Sequence, residues 1–349
     1  KGRVKTFAIG FKEESFDESK YAREVAEYLG TEHEEQILSV KECIGLVEEI
    51  GESIDEPVAD QSIVPTYLLS RFTRSHVTVA LGGDGGDELF CGYDTFLAHK
   101  VAGAYEYVPS FIRKGFAALV SFLPTSHKNI SLDFKLKKST SGFEGEPKYR
   151  DQRWMGVFSD KEREILFAEN VKEGVEDERV FEDVDRYLDE VDSEDKYDRL
   201  GAVYERMYMM DQVLVKVDRA SMMNSLEVRA PFLDAKVVDL ANRMPTKFKF
   251  RGLERKYILK KLMEGKLPKE IIYRKKKGFG IPVGEWMRDE MRPMLEKYLG
   301  KESLEKVGLF NVEYVQTLVQ EHMDGEKDNR LQLWTLLVFV LWWNRWMKK

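Results

Sequence analysis

Val77-Thr78-Val79-Ala80-Leu81-Gly82-Gly83-Asp84-Gly85-Gly86-Asp87-Glu88-Leu89-Phe90 is the stretch on which the reading of this chain turns. Its first five residues make a short, β-branched, apolar run, the pattern of a strand buried in a parallel sheet. Four glycines in the next five positions allow left-handed dihedrals and close backbone approach to a ligand. A strand-to-helix loop at the carboxyl end of a parallel sheet is where α/β proteins hold ligands. Successive N–H groups there can cradle phosphate, helped by the partial positive charge of a following helix N-terminus. Asp84, Asp87 and Glu88 are too many carboxylates for a bare anion nest and fit a Mg²⁺ shared with phosphate oxygens. The plainer alternative is a Gly-Asp turn with no ligand.

Upstream, Phe7, Ile9 and Phe11 alternate as a half-buried strand should, within residues 4–11. Ser15 and Glu18 have the spacing of a capping box. Tyr21, Ala22, Val25, Tyr28 and Leu29 follow at helical spacing, and Gly30 stands where a helix-ending glycine belongs. A second strand is expected at 34–38 and helices at 41–50 and 66–74, the first of these broken by Asp55-Glu56-Pro57. Strands separated by helices in this order predict a doubly wound α/β layer over residues 1–100. Beyond residue 100 helical patterns dominate. The Met and aromatic stripes at 204–210 and 334–346 read as core. The apolar run 331–343 is interrupted only by Gln332 and Thr335. It makes about 20 Å of helix against a bilayer core of about 30 Å, so a buried C-terminal helix is expected, with a membrane-associated helix flanked by Asn344, Arg345, Lys348 and Lys349 as the alternative.

The chain has 349 residues, 34% charged and 43% hydrophobic, a soluble globular composition that excludes disorder and collagen-like repeats. Its net charge of −7 argues against wholesale nucleic-acid binding. That sum hides an asymmetry. Residues 169–198 hold fourteen acidic and four basic side chains, a solvated acidic face or a mobile insertion without the rhythm of a calcium loop. Residues 247–277 hold thirteen basic and three acidic, a local anion site for phosphate groups or nucleic acid. Two cysteines, Cys43 and Cys91, cannot build a disulfide framework or a four-thiolate zinc site, and a reducing cytosol fits them best. No Walker A loop, Rossmann glycine fingerprint, H-E-x-x-H or G-x-S-x-G occurs.

Three further segments read as parts of a site. Lys216-Val217-Asp218-Arg219-Ala220-Ser221 leads into Ser225-Leu226-Glu227-Val228-Arg229-Ala230-Pro231-Phe232-Leu233-Asp234. Alternating charge in an otherwise apolar helix and turn predicts buried ion pairs, such as Glu227 with Arg229 or Arg219, with direct substrate contact as the alternative. Gly252-Leu253-Glu254-Arg255-Lys256-Tyr257-Ile258-Leu259 opens a helix from which a lysine could reach a polyphosphate; spacing does not say which one. Lys275-Lys276-Lys277-Gly278-Phe279-Gly280-Ile281-Pro282 couples cations to a Gly-bracketed aromatic, either a mobile loop or an exposed basic turn.

Together these segments resemble the synthetase domain of glutamine-dependent asparagine synthetases. Thr6-Phe7-Ala8-Ile9-Gly10-Phe11, Gly30-Thr31-Glu32-His33, Asp55-Glu56-Pro57 and Pro65-Thr66-Tyr67-Leu68-Leu69-Ser70 match its early blocks. Gly83 through Phe90 with Gly92-Tyr93 matches its second nucleotide-site signature. Val217 through Met222, Ser225 through Asp234, Lys277 through Pro282 and the Leu/Trp-rich end complete the series in order. The resemblance implies the doubly wound parallel sheet of the adenine-nucleotide alpha-hydrolase (PP-loop ATP pyrophosphatase) type. The nucleotide-binding part would cover residues 1–100 and a large helical part residues 101–349.

The implied reaction is adenylation of the aspartate side-chain carboxylate by ATP, followed by attack of ammonia to give asparagine, AMP and pyrophosphate. On that resemblance Leu81, Gly82, Gly83 and Gly85 contact the nucleotide, and Asp87 holds Mg²⁺ on the pyrophosphate. Asp84 orients the adenylate and takes a proton from ammonia, and Lys256 stabilises charge on the reacting oxygens. Asp60, Ser62, Lys216, Asp218, Arg219, Glu227 and Arg229 are candidates for substrate binding. The expected partners are small molecules, with ammonia drawn from glutamine by a glutaminase domain; the location is the cytoplasm, with no nucleic acid or membrane partner and a homodimer as candidate assembly. Many members carry glutamate where Asp84 stands. The family's S-G-G-x-D-S loop and its glutaminase domain with an N-terminal cysteine are not in the sequence, which begins at Lys1 almost inside a strand. A truncated synthetase domain that binds ATP weakly and hydrolyses no glutamine is therefore expected. The rivals are a related amidotransferase acting on a sugar acid, a peptide or a β-lactam precursor, a nucleic-acid-binding protein, and a catalytically silent scaffold.

Overall fold

The computed structural model describes residues 2–13, 15–105, 107–121, 136, 146–172, 180–275 and 278–348. In chain order the elements that matter are β1 (Lys5–Gly10), α1 (Ser19–Leu29), β2 (Glu32–Ile37), α2 (Val40–Ser53), α3 (Ile63–Arg74), β3 (Val79–Leu81) and α4 (Asp94–Tyr105). Then come α5 (Lys196–Val203), a π-helical stretch (Tyr204–Leu214), α6 (Val215–Met222), β4 (Glu227–Arg229), α7 (Ala235–Arg243), α8 (Tyr257–Met263), α9 (Val312–Met323) and α10 (Arg330–Trp346). The fold is mixed α/β and mostly helical, with two parallel pairs of strands among the described residues. It divides into two units. The first comprises Lys1–Ser39, Ser62–Val101 and Val184–Ile281, and the second Val40–Gln61, Ala102–Asp183 and Pro282–Lys349.

In the first unit β1 and β2 pair in parallel from Lys5↔Glu32 to Gly10↔Ile37, joined by α1. Gly30 ends α1 as its position predicts: its N–H donates to Glu27 O at 3.2 Å, and Thr31 N–H to Ala26 O at 3.0 Å. The expected capping box is not formed. The helix opens at Ser19, and Asp17 takes over by accepting from Ser19 N–H at 3.1 Å and Ser19 Oγ at 3.0 Å. Phe72 of α3 meets Phe7 of β1 edge to face, with ring centroids 6.0 Å apart.

The second pair joins β3 to β4 in parallel, Val79↔Glu227 through Leu81↔Arg229. Two sequence expectations are corrected here. β3 is not buried: Val79 and Leu81 share the outward face of the pleat, and Leu81 is 73% exposed. Residues 227–229 are a strand rather than part of a helix and turn, because three residues of alternating charged and apolar type suffice to extend a ladder that β3 begins. Arg74 Nε donates to Ser225 O at 2.9 Å and Asn224 Nδ2 to Tyr67 O at 3.2 Å, which fixes the turn into β4 against α3.

In the second unit α10 is the core helix that its composition predicts. Leu333, Trp334, Leu336, Leu337, Val338, Val340 and Leu341 are buried. It packs against α2 so closely that a Cβ on Gly51 would press on Leu341. The rings of Trp342 and Trp346 donate to Asp55 O at 2.8 Å and Ile54 O at 2.9 Å. Among the described residues no helix is long and apolar enough to cross a membrane. In the 204–210 stripe Tyr204 and Met209 are buried, while Met210 faces out. Residues 173–179 of the acidic stretch, and Lys276 and Lys277 of the basic run, lie outside the described residues.

Candidate active site

The Gly-Asp loop stays in place because its apolar end is anchored twice. Leu89 and Phe90 pack with Ala241 of α7, Phe232 and Leu233, while Cys91 packs with Phe96, Tyr204 and Phe250. Full burial of side chains of the Leu and Phe class is worth about 2 kcal/mol each, which offsets part of the entropy of ordering the loop. The polar end then winds through turns: Gly86 N–H donates to Gly83 O at 3.4 Å, Leu89 N–H to Gly85 O at 3.0 Å and Gly92 N–H to Asp87 O at 2.7 Å. Gly85 has φ +87°, a conformation that favours glycine. The helix expected directly after the glycines starts later, at Asp94, because these turns and Cys91 at φ +53° interrupt it. Gly82 N–H is taken by Arg229 O at 2.8 Å, so that amide serves the strand pair rather than a phosphate cradle.

Lys256 comes to this loop from the start of α8. It is left-handed, φ +52°, and its N–H donates to Phe90 O at 3.1 Å. Its Nζ lies 2.9 Å from Asp87 Oδ1. Arg255, 163 residues from Gly92 in sequence, donates to Gly92 O at 2.9 Å and pairs with Asp94. The stem of Lys256 passes so near Gly92 that a Cβ there would overlap both Lys256 and Asp87. Sequence reasoning assigned no role to Arg255; its neighbour's role was the only available signal.

Glu88 is the third carboxylate of the loop, and it turns inward. It is buried and accepts from the hydroxyl of Tyr93, which stacks on Tyr204 with centroids 5.0 Å apart. Burial, and then the Glu88 charge, push the Tyr93 hydroxyl well above its usual range, so it stays protonated and donates. Glu88 thus braces the loop from behind. The Cys91 thiol is pushed up to about 12 by burial, which removes it as a nucleophile near neutral pH.

Asp84 is held above the usual carboxylate range by burial, offset in part by the Lys216 charge. Lys216 Nζ donates to Ser62 Oγ at 2.9 Å, bringing together two of the sequence candidates that lie 154 residues apart in sequence. The remaining charged candidates are not buried pairs as expected. Arg219 meets Asp218 at 2.7 Å and Arg229 meets Glu227 at 3.4 Å, all four side chains more than one-third exposed, since β4 turns Glu227 and Arg229 outward on one face. Asp60 belongs to the second unit.

Asp87 can supply a carboxylate oxygen to a hard cation. Among the described residues no three His, Cys, Asp or Glu side chains converge as a ready-made metal site. That donor set suits Mg²⁺, which typically takes one or two carboxylates and completes its shell with water and substrate phosphate.

A loop at the carboxyl end of a parallel strand, with a carboxylate that meets a lysine from the start of α8, stands where α/β proteins hold ligands. The asparagine synthase family profile matches residues 1–348, and the chain belongs to that family. It is 30% identical over 344 residues to asparagine synthetase (glutamine-hydrolyzing) 1 of Bacillus subtilis, covering 97% of this chain and 52% of that protein. A Mycobacterium bovis relative, provisionally given the same enzyme name, is 32% identical over 343 residues, 97% of this chain and 50% of its own. Asparagine synthetase (glutamine-hydrolyzing) 3 of Bacillus subtilis is 26% identical over 306 residues, 83% of this chain and 42% of its own. The chain spans about half the length of the curated relatives it matches.

Proposed function

We propose that this chain carries the synthetase activity of a glutamine-dependent asparagine synthetase: ATP adenylates the aspartate side-chain carboxylate, and ammonia displaces AMP to give asparagine, with pyrophosphate as the other product. The observation that carries this reading is Lys256 Nζ at 2.9 Å from Asp87 Oδ1 on the Gly-Asp loop, within a chain of the asparagine synthase family. Leu81, Gly82, Gly83 and Gly85 line the nucleotide. Mg²⁺ held by Asp87 would neutralise charge on the leaving pyrophosphate. Lys256 presents its ammonium to the phosphate and carbonyl oxygens as they gain charge. Asp84 Oδ accepts the proton that the attacking nitrogen must shed, a task suited to a carboxyl lifted by burial. Lys216 and Ser62 position the acceptor acid; Asp60, Asp218, Arg219, Glu227 and Arg229 are the outer candidates.

In this reading the two parallel strand pairs belong to one doubly wound sheet of the PP-loop type. Residues 1–100 form its nucleotide-binding part, which β4 joins from residues 101–349, otherwise the helical part. The enzyme works in the cytoplasm on small molecules, with ammonia from a glutaminase domain, without nucleic acid or membrane, and as a homodimer.

The test is pyrophosphate release from ATP with Mg²⁺, ammonium and aspartate, by this chain and by the chain extended upstream in its natural reading frame. Aspartate-dependent release by the extended form is expected, with little or none from this chain alone. A folded protein that binds ATP and ignores aspartate would move the assignment to another carboxylate.

A further inference from the structure

Asp87 already has a cation beside it. The Lys256 ammonium stands 2.9 Å from Oδ1, and the two side chains are 32% and 25% exposed. A carboxylate so placed gains little from a divalent ion at Oδ1 unless the lysine first leaves, because two cations cannot share one buried oxygen at contact distance without strong repulsion. The main chain of Lys256 is fixed independently of that pair: its N–H sits on Phe90 O at 3.1 Å, and Arg255 holds Gly92 O at 2.9 Å. Only the four-carbon stem is left to move, and it runs past a residue without a side chain, Gly92. Among the described residues no three His, Cys, Asp or Glu side chains converge here, so a metal at Asp87 would depend on one or two carboxylates and on the phosphate oxygens of the substrate.

We infer that Lys256 is the resident counter-ion of Asp87, and that the divalent cation enters only as the nucleotide polyphosphate draws the lysine stem away. The inference rests on the proposed role of Asp87 as the metal-holding carboxylate. Lys256 thereby does two jobs in sequence: it neutralises Asp87 in the free protein, and it moves its charge to the phosphates when the metal takes its place. Metal and nucleotide binding are then coupled, each favouring the other by the same factor.

Mn²⁺ titration followed by electron paramagnetic resonance tests this on the intact protein, with and without a non-hydrolysable ATP analogue. With Mn²⁺ alone, Lys256→Met is expected to bind at least about tenfold more tightly than the natural chain. Adding Asp87→Asn to it should cancel that gain. Lys256→Arg, which keeps a cation on Asp87, should bind no more tightly than the natural chain. Equal Mn²⁺ affinity in the natural chain and Lys256→Met, or tightening in Lys256→Arg as well, would overturn the exchange. Failure of the underlying reading looks different: Asp87→Asn would then bind Mn²⁺ with the analogue as tightly as the natural chain does. Near-ultraviolet circular dichroism of each variant establishes that the comparison is made between folded proteins.

Discussion

Asp87 and Lys256 meet at 2.9 Å with side chains 25% and 32% exposed, whereas Glu227 and Arg229 meet at 3.4 Å with theirs 51% and 68% exposed. The chemistry of the two pairs is nearly the same, and both belong to the first unit. They differ in what holds them. Glu227 and Arg229 are two residues apart on one face of a three-residue strand, so they meet by local geometry alone. Asp87 and Lys256 are brought together by folding, between a loop anchored in two apolar clusters and a helix start tied down by Arg255. Charges that meet through the fold in a half-buried place interact strongly, while charges that meet along an exposed strand are screened by water.

The sharpest way to break the first pair without touching either charge is Gly92→Ala. The added Cβ overlaps Asp87 and the Lys256 stem, and the Asp87 main chain is among the atoms it meets, so the neighbours cannot simply step aside. The expected loss is about 1–3 kcal/mol, the range for overpacking a closely fitted site, read as a fall of several degrees in Tm. Gly83→Ala in the same loop is the control. A Cβ there meets nothing within 4 Å, and the stability change should stay within about 0.5 kcal/mol. Equal Tm values for the two variants would mean that the close passage at Gly92 is not a constraint.

A smaller effect is expected at Asp84, where burial outweighs the help of Lys216. Its folded pKa lies above the unfolded 3.8, so its contribution to stability is fully present below 3.8 and is lost as pH rises through the raised value. Near pH 7.5 the natural chain therefore bears the cost of a charged, part-buried carboxylate that Asp84→Asn does not. The variant should melt at a higher temperature at pH 7.5, and the gap should narrow steadily toward pH 4. A natural chain that melts above Asp84→Asn at pH 7.5 would mean that Lys216 more than compensates the burial. It would also make Asp84 a poorer proton acceptor than proposed.

What the sequence made legible follows the same division between local and long-range causes. The strand pattern of β1, the glycine that ends α1 and the apolar run of α10 are local signals, and each element appears where expected, although burial along β1 rises toward Gly10 rather than alternating. The Gly-Asp loop was visible because glycines and carboxylates in one short segment need a reason. The lysine that faces it was not separable by spacing from thirteen basic residues; only the family resemblance singled out Lys256. Arg255 and the inward turn of Glu88 depend on contacts across 163 and 5 residues that no periodicity encodes. β4 was missed because three residues carry too little pattern, and the burial of its charges was misjudged with it. An alternating pair of opposite charges in an apolar context suggests a buried bridge only if the segment is not a surface strand.

The last prediction concerns that surface strand. Glu227→Gln removes one charge of the exposed pair and leaves the β3–β4 register intact, since the register is made by main-chain groups and continued by Gly82 N–H on Arg229 O. Exposed pairs of this kind contribute less than about 1 kcal/mol, and salt reduces that further. The urea midpoint of Glu227→Gln should therefore match that of the natural chain within error at 0.5 M NaCl, with at most a slight shift at low salt. A large loss that persists at high salt would show that Glu227 acts through a contact other than Arg229. Its place would then move from the outer candidates of the site to its structural support. With the midpoint unchanged, any effect of the same variant on aspartate-dependent pyrophosphate release belongs to substrate binding. Stability and activity in one variant thus separate the two roles that alternating charge at 216–229 left open.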